Sequence, residues 1–345
     1  MPPGSRAAGM GPPTVARSFV SETLHRLSEG SARRERVLGQ LDVAVVRLVW
    51  LAAGALPVDR ASAFGDRLGR WLGPRIGRHR HVLDSLAVAF PDRDDAWLER
   101  TAVAIWGEIG RVVAEYPHLP ALCAGGSDER FELVCHFDLE PVRRARQGMI
   151  FVASHQANWN LPAVAGRLGK IPLSVLYREQ RNPTLEALIR RWRNTMPVRF
   201  IDAAAGPRPI LQELAAGRSV GLQMDHRVEG GEPVPFFGVE APTVTIPARL
   251  AIRVGTGLVP SRIERLEGAR FRITLHEPIH ADPEIADPRL AARRMTEQVN
   301  AHFERWIRER PEQWVCAKRR WPKDAIRRVH ALRRARLAPS GPAHA

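Results

Sequence analysis

The chain has 345 residues, 44% of them hydrophobic, enough for a buried core in one large or two modest domains. Its 52 Lys and Arg against 37 Asp and Glu give a net charge of +15, which favours anionic partners: phosphate head groups, acidic carrier proteins or nucleic acid. Three cysteines, Cys123, Cys135 and Cys316, fit neither a zinc pattern nor a disulfide framework.

Taken in order, residues 1–40 begin with Pro, Gly, Ala and Arg, show no cleavable signal peptide, and are expected to be weakly ordered. The apolar run 43–56 contains Arg47 and is shorter than the roughly 18–20 residues that cross hydrocarbon. It reads as a helix lying in a membrane interface or as a core helix, not as a transmembrane span. From 41 to about 122 apolar residues recur at helical spacing, through Phe64, Leu68, Trp71 and Leu72 and again through Leu98, Ile105, Trp106, Ile109 and Val112. Gly73-Pro74 and Pro91 mark breaks, and Gly125-Gly126-Ser127 marks a join.

Beyond the join the pattern alternates. Strands are expected at 131–134, 149–153, 171–177, 198–201 and 219–224, with helices at 140–147, 161–168, 183–194 and 207–216 between them. Strands at 256–264 and 271–276 are expected to pair antiparallel, and a long amphipathic helix opens at Asp287-Pro288. The expected class is α/β: a mixed central sheet covered by helices, preceded by a helical membrane-associating region at 41–125. The α/β domain spans 126–323, and 324–345 reads as a basic, flexible tail.

His155 ends the strand at 149–153, and a side chain just beyond a strand's carboxyl end is placed to meet a ligand. A histidine there is a general base near neutral pH, or a histidine bonded to a backbone carbonyl. Four stretches weigh on that choice. They are Ser154-His155-Gln156-Ala157-Asn158-Trp159-Asn160; Tyr177-Arg178 running to Arg193; Met224-Asp225-His226 with Pro233 to Gly238; and Pro311-Glu312-Gln313-Trp314 with Lys318 to Pro322. In this order they resemble the bacterial lipid A biosynthesis acyltransferases, within the lysophospholipid acyltransferase superfamily, over about residues 40–323.

The resemblance implies an O-acyltransferase on the cytoplasmic face of a bacterial inner membrane. It would move an acyl chain from acyl carrier protein or acyl-CoA to a hydroxyl of a lipid A-type glycolipid or lysophospholipid, without a cofactor. His155 would be the general base. The family places an acidic residue at the position of Asn160, which can orient a histidine but cannot offset imidazolium charge. Asp225, and after it Asp202, are the carboxylates expected to reach His155 instead. In Asp225-His226-Arg227 the second acid of the family's pair is replaced by Arg227. Arg178 and Arg193 match family arginines that would bind substrate, although Arg190, Arg191 and Arg193 also fit a solvated helix face. Phe236 and Phe237 would lie on a turn near the acyl chain or in the core, while Glu312, Gln313 and Trp314 would cap and pack the last helix. The alternative to turnover is an impaired homologue that binds lipid or acyl carrier. His79, His81, His118, His136 and His226 show no metal-ligand spacing with carboxylates or cysteines, so no metal is expected, and the arginines form no nucleic-acid platform with aromatics.

Overall fold

The computed structural model describes residues 32–144, 148–180 and 182–337. The expectations for 1–31 and for 338–345 lie outside these residues. Among the described residues five α-helices come first: α1 (Ala32–Gly54), α2 (Val58–Leu72), α3 (His79–Ala89), α4 (Asp95–Glu115) and α5 (Leu119–Ala124). Asp94 starts α4 by accepting a hydrogen bond from Trp97 N–H at 2.6 Å, satisfying one of the orphan donors of the first turn. Helices α2 and α4 touch backbone to backbone. A Cβ added at Gly110 would stand 2.0 Å from the Gly65 carbonyl oxygen, so only glycine permits this approach.

The rest is the expected α/β alternation. It runs β1 (Phe131–Cys135), α6 (Glu140–Arg144), β2 (Ile150–Ala153), α7 (Pro162–Leu168), β3 (Leu173–Tyr177), α8 (Pro183–Arg193), β4 (Arg199–Asp202), α9 (Arg208–Ala215) and β5 (Ser219–Gln223). A hairpin of β6 (Glu232–Phe236) and β7 (Val239–Thr243) follows, then α10 (Ile246–Val254), β8 (Leu258–Arg265), β9 (Phe271–Leu275), α11 (Pro288–Glu309) and α12 (Lys323–Leu337). The sheet order is β1-β9-β8-β2-β5-β3-β4. Strands β8, β2, β5, β3 and β4 are parallel, β9 is antiparallel to β8, and β1 is parallel to β9. The sheet is therefore mixed, as expected.

Helices cover both faces, so the central strands read as continuous apolar runs. Along β2, Ile150 and Val152 enter one core with α3, α4 and α11, while Phe151 enters the other with Trp50, Tyr116 and Leu161.

At Pro233 to Gly238 the structure decides between two readings, and after Pro322 it departs from the expected one. Pro233 to Gly238 is strand and hairpin turn, and Phe236 and Phe237 are buried against Trp314 and Trp321, which favours the core reading. Residues 324–337, read as the start of a flexible tail, belong to α12. Its buried Arg333 donates to the carbonyls of Phe90, Pro91 and Arg93, fastening it to the α3–α4 turn. No helix among the described residues is long and apolar enough to cross a membrane. Helix α1 instead leaves Val37, Leu41, Val45, Leu48 and Leu51 exposed, at spacings of three and four residues that share one face.

Candidate active site

Strand register builds the site. In the neighbouring strands β2 and β5, Ala153 stands opposite Gln223, and His155 and Asp225 each lie two residues further on. Their side chains meet, with Nδ1 of His155 2.6 Å from Oδ1 of Asp225. An ionised carboxylate can only accept, so the proton lies on Nδ1 and Nε2 presents its lone pair. The His155 side chain is 29% exposed, against 2% for Asp225, and among the described residues no group hydrogen-bonds Nε2. A base is thus accessible while its anion is enclosed.

Burial alone would raise the Asp225 pKa. The charge and hydrogen bonds of His155, with help from His226, outweigh it and hold the carboxyl at about 2. The Trp314 indole N–H donates to its second oxygen at 3.1 Å. His226, whose ring lies 6.1 Å from that of His155, is pushed down to about 3, first by burial and then by the charge of His155, so it stays neutral. Trp159 packs edge-on against His155 with ring centroids 5.9 Å apart.

The second carboxylate considered, Asp202, accepts from Ala204 N–H and caps the turn after β4. Asn160 makes its hydrogen bonds to Asn158: its backbone N–H lies 3.1 Å and its amide nitrogen 3.3 Å from Asn158 Oδ1. Among the described residues no hydrogen bond joins Asn160 to His155. Asn158 is fixed in turn, because its amide nitrogen donates to Glu115 Oε2 at 2.8 Å.

Arg178 directly follows β3, the neighbour of β5. The Lys318 ammonium is held below its ordinary pKa by desolvation, then by Arg78 and Arg178, while Asp225 acts the other way. These four charges therefore belong to one neighbourhood. Arg193 sits in a separate aromatic nest. Its guanidinium lies 3.1 Å from the Tyr177 ring centroid and 3.8 Å from a Glu186 oxygen, and its charge reaches the Tyr116 hydroxyl. Arg227 pairs with Glu229 at 2.9 Å.

Sequence reasoning missed the support behind this pair. Ala157, at φ 46°, donates its N–H to the Gln313 carbonyl at 3.0 Å, and Val315 N–H donates to the His155 carbonyl at 2.8 Å. The Gln313 amide makes two hydrogen bonds to the Arg265 backbone, at 3.0 and 2.9 Å. Arg265 is buried between Glu108 and Glu115, 2.7 and 2.6 Å away. The stretch from Pro311 to Trp314 stood out in the sequence, but its reading as helix packing hid its contact with Asp225.

Under α7 the same face of the sheet has a narrow apolar cavity of about 40 Å³, bordered by Ala153, Gly166, Gly221, Leu222, Ile263 and Ile273. Its upper border, Ala153, is two residues from His155. Among the described residues, no group of three or more His, Cys, Asp or Glu is arranged to hold a metal.

Comparison with known proteins supports the family reading. A family model described as "Bacterial lipid A biosynthesis acyltransferase" matches residues 30–323. The chain is 26% identical over 255 residues to "Lipid A biosynthesis myristoyltransferase" of Escherichia coli (strain K12), covering 72% of this chain and 77% of that protein. It is 26% identical over 262 residues to "Lipid A biosynthesis acyltransferase 1" of Shigella flexneri, covering 72% and 77%. Against "Lipid A biosynthesis acyltransferase 2" of the same organism it is 24% identical over 259 residues, covering 72% and 79%.

Proposed function

Because the chain belongs to the bacterial lipid A biosynthesis acyltransferase family, itself part of the lysophospholipid acyltransferase superfamily, we propose that it transfers an acyl chain from a thioester to a lipid hydroxyl, with His155 as general base. The observation that carries this reading is the 2.6 Å contact between His155 and Asp225, together with an accessible Nε2.

In the proposed reaction the acceptor hydroxyl donates its proton to His155 Nε2 as its oxygen attacks the thioester carbon. The carbonyl π electrons move onto oxygen. As the tetrahedral species collapses, the C–S bond breaks and the leaving sulfur takes the proton back from Nε2. Asp225 balances the imidazolium that exists between these events. No acyl-enzyme forms, because the alcohol attacks directly. Lys318, whose charge feels Asp225, Arg178 and Arg78, supplies positive charge suited to the oxyanion or to a phosphate on either substrate. Asn160 serves through Asn158 by holding the loop that carries His155. Arg193 acts on substrate only indirectly, by packing the end of β3 through Tyr177.

The acyl tail is proposed to run from His155 into the gap under α7. The gap is apolar and measures about 40 Å³. The donor is acyl carrier protein or acyl-CoA, and the acceptor is a lipid A-type glycolipid or a lysophospholipid. The exposed apolar face of α1 would lie in the bilayer interface, with Arg47 and Arg60 at anionic head groups, placing the protein on the inner membrane as a peripheral or monotopic enzyme.

Purified protein incubated with acyl carrier protein bearing different chains, or with acyl-CoA, and a lipid A precursor tests this by mass spectrometry of the products. An acylated product that disappears with His155→Ala is expected. No product from any donor, with acyl chains still bound by both proteins, would overturn turnover in favour of a binding role.

A further inference from the structure

We propose that Trp314 is a positioning residue for this reaction: its indole N–H fixes Asp225 so that the carboxylate meets His155 through one chosen oxygen. The proposal rests on the reading of His155 as the base. A carboxylate with one partner can rotate and exchange its two oxygens. Here Oδ1 lies 2.6 Å from His155 Nδ1, while Oδ2 accepts from Trp314 Nε1 at 3.1 Å, so rotation would break two contacts.

Trp314 is itself immobilised. It is buried, with ring centroids 6.1 Å from Phe236, 6.1 Å from Phe237 and 6.3 Å from Trp321. Its backbone is bracketed by the His155 loop: Ala157 N–H donates to the Gln313 carbonyl, Val315 N–H donates to the His155 carbonyl, and Gln156 and Trp314 form an antiparallel bridge. One segment therefore grips the backbone of the base and the side chain of its anion together. A tryptophan placed only to fill the core would need neither contact.

Other ionisable groups also act on the pair. His226 and Lys318 influence Asp225 or are influenced by it, as are Arg320 and the Cys316 thiol, with Arg78 and Arg178 beyond Lys318. All are retained when only the indole is changed.

The test compares Trp314→Phe with Trp321→Phe. Trp321 belongs to the same aromatic cluster, but its N–H donates to the carbonyls of Phe236 and Val239. Two readouts are taken against pH: kcat/KM for acyl transfer, and the ring resonances of His155 by NMR, identified by their absence from His155→Ala. A carboxylate that has lost a donor holds imidazolium more tightly. Trp314→Phe is therefore expected to move the acidic limb and the His155 midpoint to higher pH, with kcat down about tenfold, in the range for a hydrogen bond to a charged group, and KM within about twofold. Trp321→Phe should leave the midpoint in place. An unmoved midpoint in Trp314→Phe, or equal movement in Trp321→Phe, would overturn the proposal. If Trp314→Phe does not fold, the wild-type Trp314 indole N–H resonance decides, since it should titrate with the His155 midpoint; an indole signal that ignores that titration refutes the contact. Transfer that survives His155→Ala would defeat the assignment of the base, while the NMR midpoints would still report on Trp314.

Discussion

His155 and Asp225 are 70 positions apart in the chain, yet Nδ1 and Oδ1 stand 2.6 Å from each other. Adjacent parallel strands, each followed by two further residues, create that meeting. The carboxylate that meets His155 comes from the end of the next strand, while Asn160 hydrogen-bonds Asn158.

Placing an acid at position 160 should therefore not help. In Asn160→Asp a carboxylate would face Asn158 Oδ1, which now accepts from the Asn160 amide, and Asn158 cannot easily turn because its own amide is bound to Glu115. Losing that hydrogen bond costs about 1 kcal/mol or more of loop order. We expect kcat to fall about three- to tenfold in a steady-state transfer assay. A variant faster than wild type would mean that His155 lacks an effective charge partner.

Arg265 joins the N-terminal helices to the site, with two buried carboxylates on its side chain and the Gln313 amide on its backbone. Burial raises the Glu108 pKa against the pull of Arg265, so removal of the arginine leaves two enclosed acids without the cation that pairs them. Arg265→Met is expected to lose about 3–5 kcal/mol of stability in urea unfolding, the usual cost of breaking a buried pair from one side. A loss below about 1 kcal/mol would show that the network is dispensable.

Stability should also fall in mild acid. His276 is pushed down to about 4, first by burial and then by His302, His136, Arg305 and Arg262, from an ordinary value of 6.5. The unfolded chain takes up its proton near pH 6.5, whereas the folded chain resists until about pH 4. The contribution is thus complete above 6.5 and is lost as pH falls toward 4, and His226 adds to the same trend. Asp225, held at about 2, contributes stability that is lost only below the ordinary carboxyl range, outside this window. Thermal melts should show a lower midpoint at pH 5 than at pH 7, with a shallower dependence in His276→Gln. An equal or higher midpoint at pH 5 would contradict the assignment.

Acyl preference offers a fourth test. A Cβ at Gly221 would approach Leu173 no closer than 3.7 Å, so this position in the cavity wall tolerates growth. Gly221→Val should fill the gap and shift preference toward shorter chains when donors compete in one mixture. An unchanged product distribution would place the acyl chain elsewhere.

Much of this was legible in the sequence, for particular reasons. Alternating strands and helices announced the α/β class, and Asp287-Pro288 announced α11, whose first turn Asp287 caps through Arg289 N–H. Asp225 could be named as a candidate carboxylate, but its pairing depends on β5 inserting beside β2, and spacing alone does not give strand order. The β6–β7 hairpin was hidden because Pro233, Pro235 and Pro242 suppress a strand signal, although prolines are tolerated in a two-stranded ribbon with free edges. Helix α12 was hidden because its arginines resemble a solvated run until Arg333 finds the carbonyls that end α3. Trp314 was hidden because burying an indole and orienting a carboxylate leave the same mark in a sequence.

The most direct measurement is a double-variant cycle on acyl transfer with His155→Ala, Asp225→Asn and the two combined, each checked for folding by circular dichroism. Groups that act as one unit are strongly non-additive. Each single change is expected to lower kcat by about 10² or more, and the combined variant should be no slower than the slower single. Losses that multiply, or an Asp225→Asn protein with nearly full activity, would contradict a catalytic pair built from His155 and Asp225.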